Sequence, residues 1–154
     1  MTISVQKINL WRAEMEDQPG TLASVIEELA HSGADVEVVM GYSYPAERRT
    51  AVIEVFPVTS PRTASVAQQA GLSRSSKPTL LIQGDDRVGL SDVFYRAIAD
   101  AGLNIDFVVA QAVGAHFSVV VGFATESDSD RAAKLIKEVA REWERSGGAH
   151  DTPN

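Results

Sequence analysis

Two short stretches, Asp17-Gln18-Pro19-Gly20 and Asp86-Arg87-Val88-Gly89, place an acidic residue three positions ahead of a glycine at the head of an apolar-periodic run. A helix starting at such a glycine leaves backbone N–H groups without intrahelical acceptors, and its macrodipole adds partial positive charge. A carboxylate suits that place, and glycine lets it approach the main chain without meeting a Cβ. In the first turn, which also carries Gln18, Gly20 with Thr21 and Leu22 would donate amides to an amino acid's α-carboxylate, and Asp17 would take its α-ammonium. In the second, Gly89 with Leu90 and Ser91 would donate, Asp86 would take the ammonium, and Arg87 would help an anion. The alternative is structural: Asp before a helix serves as an N-cap, and Gly answers to turn geometry. Neither turn is favoured, because Asp92 competes for the second set of amides where the first half has Ala23.

Other chemistry is sparse. His31, His116 and His150 have no i, i+4 partner or neighbouring ligand cluster, so they read as structural or solvated and no metal site is expected. Glu14, Glu16 and Asp17 read as a solvated acidic run. No serine has an evident base and orienting acid, so neither enzyme chemistry nor a cofactor is expected. With no cysteine among 154 residues, disulfides and thiolate metal sites are excluded. The net charge of −7 argues against nucleic acid as a direct ligand, since that affinity rests on clustered Lys and Arg. No apolar run is long enough for a membrane span, and the N-terminus lacks a signal-peptide pattern, so a cytoplasmic protein is expected.

The elements that must position the two turns are repeated. Asp17 and Asp86, Gly20 and Gly89, Ala30 and Ala99, and Gly33 and Gly102 are each separated by 69 positions (86 − 17). An extended segment from Ile3 to Ala13 reads as the first strand. Leu22, Val25, Ile26, Leu29 and Ala30 then form a helical stripe that stops at Gly33. Strands follow at Val36–Val39 and over "TAVIEVFPV", with "SYPAERR" as the loop between them. A short helix is capped by Ser60 and ends by Gly71. The second half repeats this: strand "PTLLIQG", a helix with Leu90, Phe94 and Ile98 on one face, strands "NIDFVVAQA" and "HFSVVVGFA", and a last helix starting near Ser127 or Asp128. Trp11 and Trp143 read as packing residues. Each half is thus β-α-β-β-α, an α+β architecture with helices on one face of an antiparallel sheet. The expected boundaries are residues 1–72, a linker at 73–77, residues 78–146, and a disordered tail at 147–154. A half of this size buries too little surface to stand easily alone, so a shared core or a continuous sheet, and a further copy of the chain, are expected.

The turns, the apolar helices and the "GADV" and "GLNI" stretches that follow resemble the ACT domain, a ferredoxin-like βαββαβ module of regulators of amino-acid metabolism. The resemblance spans roughly Gln6 to Val58 and Pro78 to Val139, and is strongest to tandem ACT proteins related to the glycine cleavage repressor. It departs at Gln18, where Arg or Lys is usual, at Val88, where Pro is usual, and at Asp35, where Asn is frequent. It implies a non-catalytic sensor, forming a homodimer, that binds a small amino acid and relays occupancy to an enzyme or regulator. The second wall of the site would come from a neighbouring domain, through Asn104 with Ile105 or Asp35 with Val36. The alternative is a ligand-free interaction or dimerisation module. Neither half shows a sixth element: "SRSSK" reads as too polar and too short, and "SGGAHDTPN" has no strand pattern. The exposed sheet edge needs a cover, from the N-terminal segment or the partner half.

Overall fold

The helices keep the expected 3.6-residue period, whereas the central strands are buried over consecutive residues rather than in alternation. The computed structural model describes residues 3–43 and 49–148. In chain order these form β1 (Ser4–Ile8), β2 (Trp11–Glu16), α1 (Thr21–His31), β3 (Val38–Ser43), β4 (Thr50–Phe56), α2 (Pro61–Gln69), β5 (Ser73–Arg74), β6 (Thr79–Asp85), α3 (Leu90–Asp100), β7 (Phe107–Val113), β8 (His116–Gly122) and α4 (Glu126–Arg145). The chain divides into two compact units. The first module is Asn9–Ser76, and the second joins Lys77 onward with the N-terminal segment through Ile8.

In the first module the antiparallel sheet runs β3-β4-β2-β5. Ile53 and Val55 of β4 and Trp11 and Ala13 of β2 join Val25 and Leu29 of α1 and Ala67 of α2 in one buried cluster. Ser60 caps α2 as expected, accepting from the Thr63 amide at 3.0 Å, with Pro61 in the first turn. The segment "SRSSK" is not simply a linker, since Ser73 and Arg74 pair with Arg12 and Trp11 as the sixth element. Both residues of β5 are exposed, so an edge strand here needs no apolar pattern and leaves none in the sequence.

The second module runs β1-β6-β8-β7, again antiparallel throughout. Leu80 and Ile82 of β6 and Val119 and Val121 of β8 pack with Leu90, Phe94 and Ile98 of α3 and Ala132, Ile136, Ala140 and Trp143 of α4. The single strand read over Ile3 to Ala13 is two strands in two sheets. Residues Ser4–Ile8 pair with Gln83–Thr79 and fill the fourth-strand position that the second half does not supply after α4. The N-terminal segment is therefore the edge cover. The Lys7 ammonium fixes it to α4 through Glu126 and Asp130, each at 2.7 Å.

The last helix starts at Glu126, capped by Thr125, slightly ahead of the expected start. Gly147 and Gly148, assigned to a disordered tail, instead close α4: their amides donate to the carbonyls of Glu144 and Trp143 at 3.2 and 3.0 Å. Residues 149–154 and most of the "SYPAERR" loop lie outside the described residues.

Candidate ligand site at the second turn

The two turns share one hydrogen-bond plan. The Asp17 amide donates to the Arg49 carbonyl at 2.7 Å, and the Asp86 amide to the Ala115 carbonyl at 2.7 Å. The Thr21 amide then closes onto Gln18 at 3.3 Å, and the Leu90 amide onto Arg87 at 3.2 Å. Ser24 and Val93 begin the intrahelical ladder by donating to Gly20 and Gly89 at 2.9 and 3.3 Å. Gly20 and Gly89 are the N-caps, with φ of 90° and 89°, and neither helix start carries a side-chain cap hydrogen bond. The carboxylates of Asp17 and Asp86 therefore do not serve as N-caps.

Two parts of the expected donor set change. The amides of Thr21 and Leu90 are committed to turn carbonyls, so the amides ahead of the ladder are those of Leu22 and Ala23 in one turn and of Ser91 in the other. The glycine is explained by its positive φ before any close approach need be invoked: a Cβ at Gly20 would meet nothing within 4 Å. Leu90 is also a core residue, only 2% exposed.

A cavity of ≈ 190 Å³ lies between the start of α3 and strands β7 and β8. Its buried floor is Leu90, Phe94 and Val119, flanked by Phe117, whose ring centroid is 6.3 Å from that of Phe94 at 51°. Ala110, Gln111 and Ala112 of β7 form one wall, and exposed Asp86, Arg87 and Ser91 form the rim. Gly84 makes room for this ring, since a Cβ there would come within 2.9 Å of Phe117 Cε1. An acid, a base and a hydroxyl thus rim an apolar floor, and Gln111, whose side chain alternates to the other sheet face, borders it with its main chain. A carboxylate at an exposed helix start gains only about 0.3–1 kcal/mol, whereas burying an aliphatic side chain gains about 1.5–3 kcal/mol. The floor, more than the helix start, decides what the cavity can hold.

The first module differs at equivalent positions. Gly41 pairs with Ile53 as Ala110 pairs with Val119, so Leu22 and Gly41 correspond to Ser91 and Ala110. Leu22 Cδ2 stands 3.6 Å from where a Cβ on Gly41 would be, so the side chain, though 42% exposed, reaches that strand. The Thr21 hydroxyl donates to the Glu16 carbonyl at 3.1 Å. Gln18, Gly20 and Thr21 instead edge an open depression of ≈ 410 Å³ on the α2 side, rimmed by Ser24, Glu28 and Gln69.

Asp86, Arg87, Leu90 and Ser91 are thus brought to one cavity, with Gly89 at its helix start. Asp17 and Leu22 do not line the depression near their own turn. Asp35, Val36, Asn104 and Ile105 follow the C-terminal ends of α1 and α3, at the far ends of the helices from the turns. Val36 and Ile105 are partly buried and pack against the cores of their own modules. Sequence reasoning missed Phe117, Ala110, Gln111 and Ala112. Comparing the halves position by position at the common offset would have exposed the exchange of Leu22 for Ser91. Among the described residues, no three His, Cys, Asp or Glu side chains gather as a metal site, and no helix is long and apolar enough to cross a membrane.

No protein-family model matches the chain, and no curated protein matches it in sequence. Solved structures do match in fold. A protein of Bacteroides thetaiotaomicron is 14% identical with a TM-score of 0.71, over 88% of this chain and 90% of that one. A structure of aspartokinase alpha and beta subunits is 13% identical with a TM-score of 0.62, over 92% and 98%. The regulatory subunit of aspartate kinase from Thermus thermophilus, in a ligand-free form, is 15% identical with a TM-score of 0.59, over 88% and 95%. The expectation of tandem ferredoxin-like modules, drawn from the ACT resemblance, holds at the level of fold.

Proposed function

We propose that the chain is a non-catalytic, tandem ACT-type regulatory protein that binds an amino acid at its Asp-x-x-Gly turns and relays occupancy to a partner enzyme or regulator. The observation that carries this reading is the repeated turn whose helix start has no side-chain cap hydrogen bond, with a cavity beside the second copy whose rim holds an acid and a base, the complements of a zwitterion's charges. Fold likeness to the regulatory subunit of aspartate kinase from Thermus thermophilus supports it. The amide of Ser91 meets the α-carboxylate, assisted by Arg87, and Asp86 meets the α-ammonium. Asn104 with Ile105, or Asp35 with Val36, would serve from a neighbouring module, and the working form is a cytoplasmic homodimer. Occupancy acts by linkage: a ligand shifts the protein between arrangements only by the difference in its affinity for them.

A thermal-shift screen of the common amino acids tests the proposal. A ligand at about 100 times its dissociation constant should stabilise the protein by roughly 2.7 kcal/mol. Silence towards all of them would reject it.

One observation favours the second reading, a ligand-free assembly module. Among the described residues, edge strand β7 is unpaired on one side in its sheet and exposes Val108, Val109 and Val113, at 44%, 48% and 70%. Such an edge is a template for pairing with another chain. On that reading, stability depends on protein concentration and not on any amino acid.

A further inference from the structure

We propose that the duplicated site is used once per chain: the second-module cavity takes an α-amino acid with an aliphatic side chain of valine-to-leucine size, and its first-module counterpart is closed by Leu22. This rests on the amino-acid-binding reading above and narrows it to a site, a stoichiometry and a side-chain class.

The closure follows from the paired registers. Gly41 and Ala110 occupy the same place in their sheets, opposite Ile53 and Val119, and the residues facing them from the first helical turn are Leu22 and Ser91. In the first module a large side chain meets a bare glycine, with Leu22 Cδ2 3.6 Å from the Cβ position. In the second, a hydroxymethyl group and a methyl group border an open cavity of ≈ 190 Å³. The floors differ as well: Phe94 corresponds to Val25 at the common offset.

Selectivity follows from the lining. Leu90, Phe94, Phe117 and Val119 offer no hydrogen-bond partner, so a polar or charged side chain would lose water without compensation. At about 30 Å³ for each water-sized group, the volume holds roughly six such groups. Sites for drug-sized ligands run to about 300–1,000 Å³. An aliphatic side chain with its Cα fits within that volume. The rim carries one anion, Asp86, and one cation, Arg87, which suits a zwitterion better than a simple fatty acid or amine.

Titration calorimetry on the full chain tests this, with leucine, isoleucine and valine against serine, aspartate, lysine and tryptophan. The expected result is one mole of leucine per mole of chain. Leucine, isoleucine or valine should be preferred over serine by at least about tenfold, since even one missing methylene in an apolar pocket is worth about 10–200-fold. Ser91→Leu should abolish binding with the melting temperature retained, because the first module accommodates leucine at the equivalent position. Ala110→Leu closes the cavity from the strand side and should act likewise if Ser91→Leu proves insoluble. Two moles per chain, preference for a polar amino acid, or full affinity in a folded Ser91→Leu or Ala110→Leu protein would overturn this inference while leaving amino-acid binding intact. Silence towards every amino acid would overturn both.

Discussion

The Lys7 ammonium meets the Asp130 carboxylate at 2.7 Å across 123 positions of sequence, tying the first strand to the last helix of the same module. Glu126 lies at the same distance from it. These partners raise the Lys7 pKa from 10.5 to about 12, through hydrogen bonds to Asp130 and then Glu126. A lysine whose folded pKa lies above its unfolded value stabilises the fold fully below the unfolded value and ceases to do so as pH rises through the folded one. The window is therefore pH 10.5 to about 12. Lysine side-chain NMR should find a midpoint above that of free lysine, and Lys7→Met should remove this part of the alkaline sensitivity. An ordinary midpoint would mean that the contact is not maintained in solution.

Closure of the second sheet by β1 makes the N-terminus structural. Ile8 is 5% exposed and pairs with Thr79, so Ile8→Ala should destabilise the protein by about 2–5 kcal/mol in denaturant unfolding. A loss under about 0.5 kcal/mol, the scale of an ordinary surface substitution, would argue that β1 is dispensable.

Gly20 and Gly89 are held in the left-handed region, and a Cβ at Gly20 has open space around it. Gly20→Ala should therefore cost about 1–2 kcal/mol from backbone conformation alone, and Gly89→Ala a similar amount. Chemical denaturation measures both. Equal stability of the alanine variants and the parent would show that the turns relax out of this conformation.

Ser60 and Thr63 form a reciprocal cap at the start of α2, with the Ser60 amide donating to Thr63 Oγ1 at 3.1 Å. Ser60→Ala should lower stability by about 1 kcal/mol. Thr63 is also buried, so Thr63→Ala mixes cap and packing losses and is the poorer probe.

The duplication was legible in the common offset of 69 positions, and the matched turns share one hydrogen-bond plan. Asp17 and Asp86, matched by offset alone, donate to equivalent hairpin carbonyls at the same distance. Helices were legible because Leu90, Phe94 and Ile98 repeat on one face, a local signal. The destination of Ser4–Ile8 was not. Extended backbone looks alike whichever sheet it joins, and its partner Thr79–Gln83 is remote in sequence. Ser73–Arg74 reads as too polar and too short for a strand because both residues face solvent and carry no alternation. The cavity was partly visible: Asp86, Arg87 and Ser91 stand in one motif, but Phe117 and Ala110 join them only through the β7–β8 register, which a helix pattern cannot reveal.

A two-dimensional amide NMR titration of the full chain with leucine distinguishes a site in the second module from one at the first turn or none. The largest saturable shifts should fall on Arg87, Ser91 and Gln111, with the Thr21 and Leu22 amides little changed. Absence of saturable shifts, or shifts centred on the first turn, would contradict a second-module site.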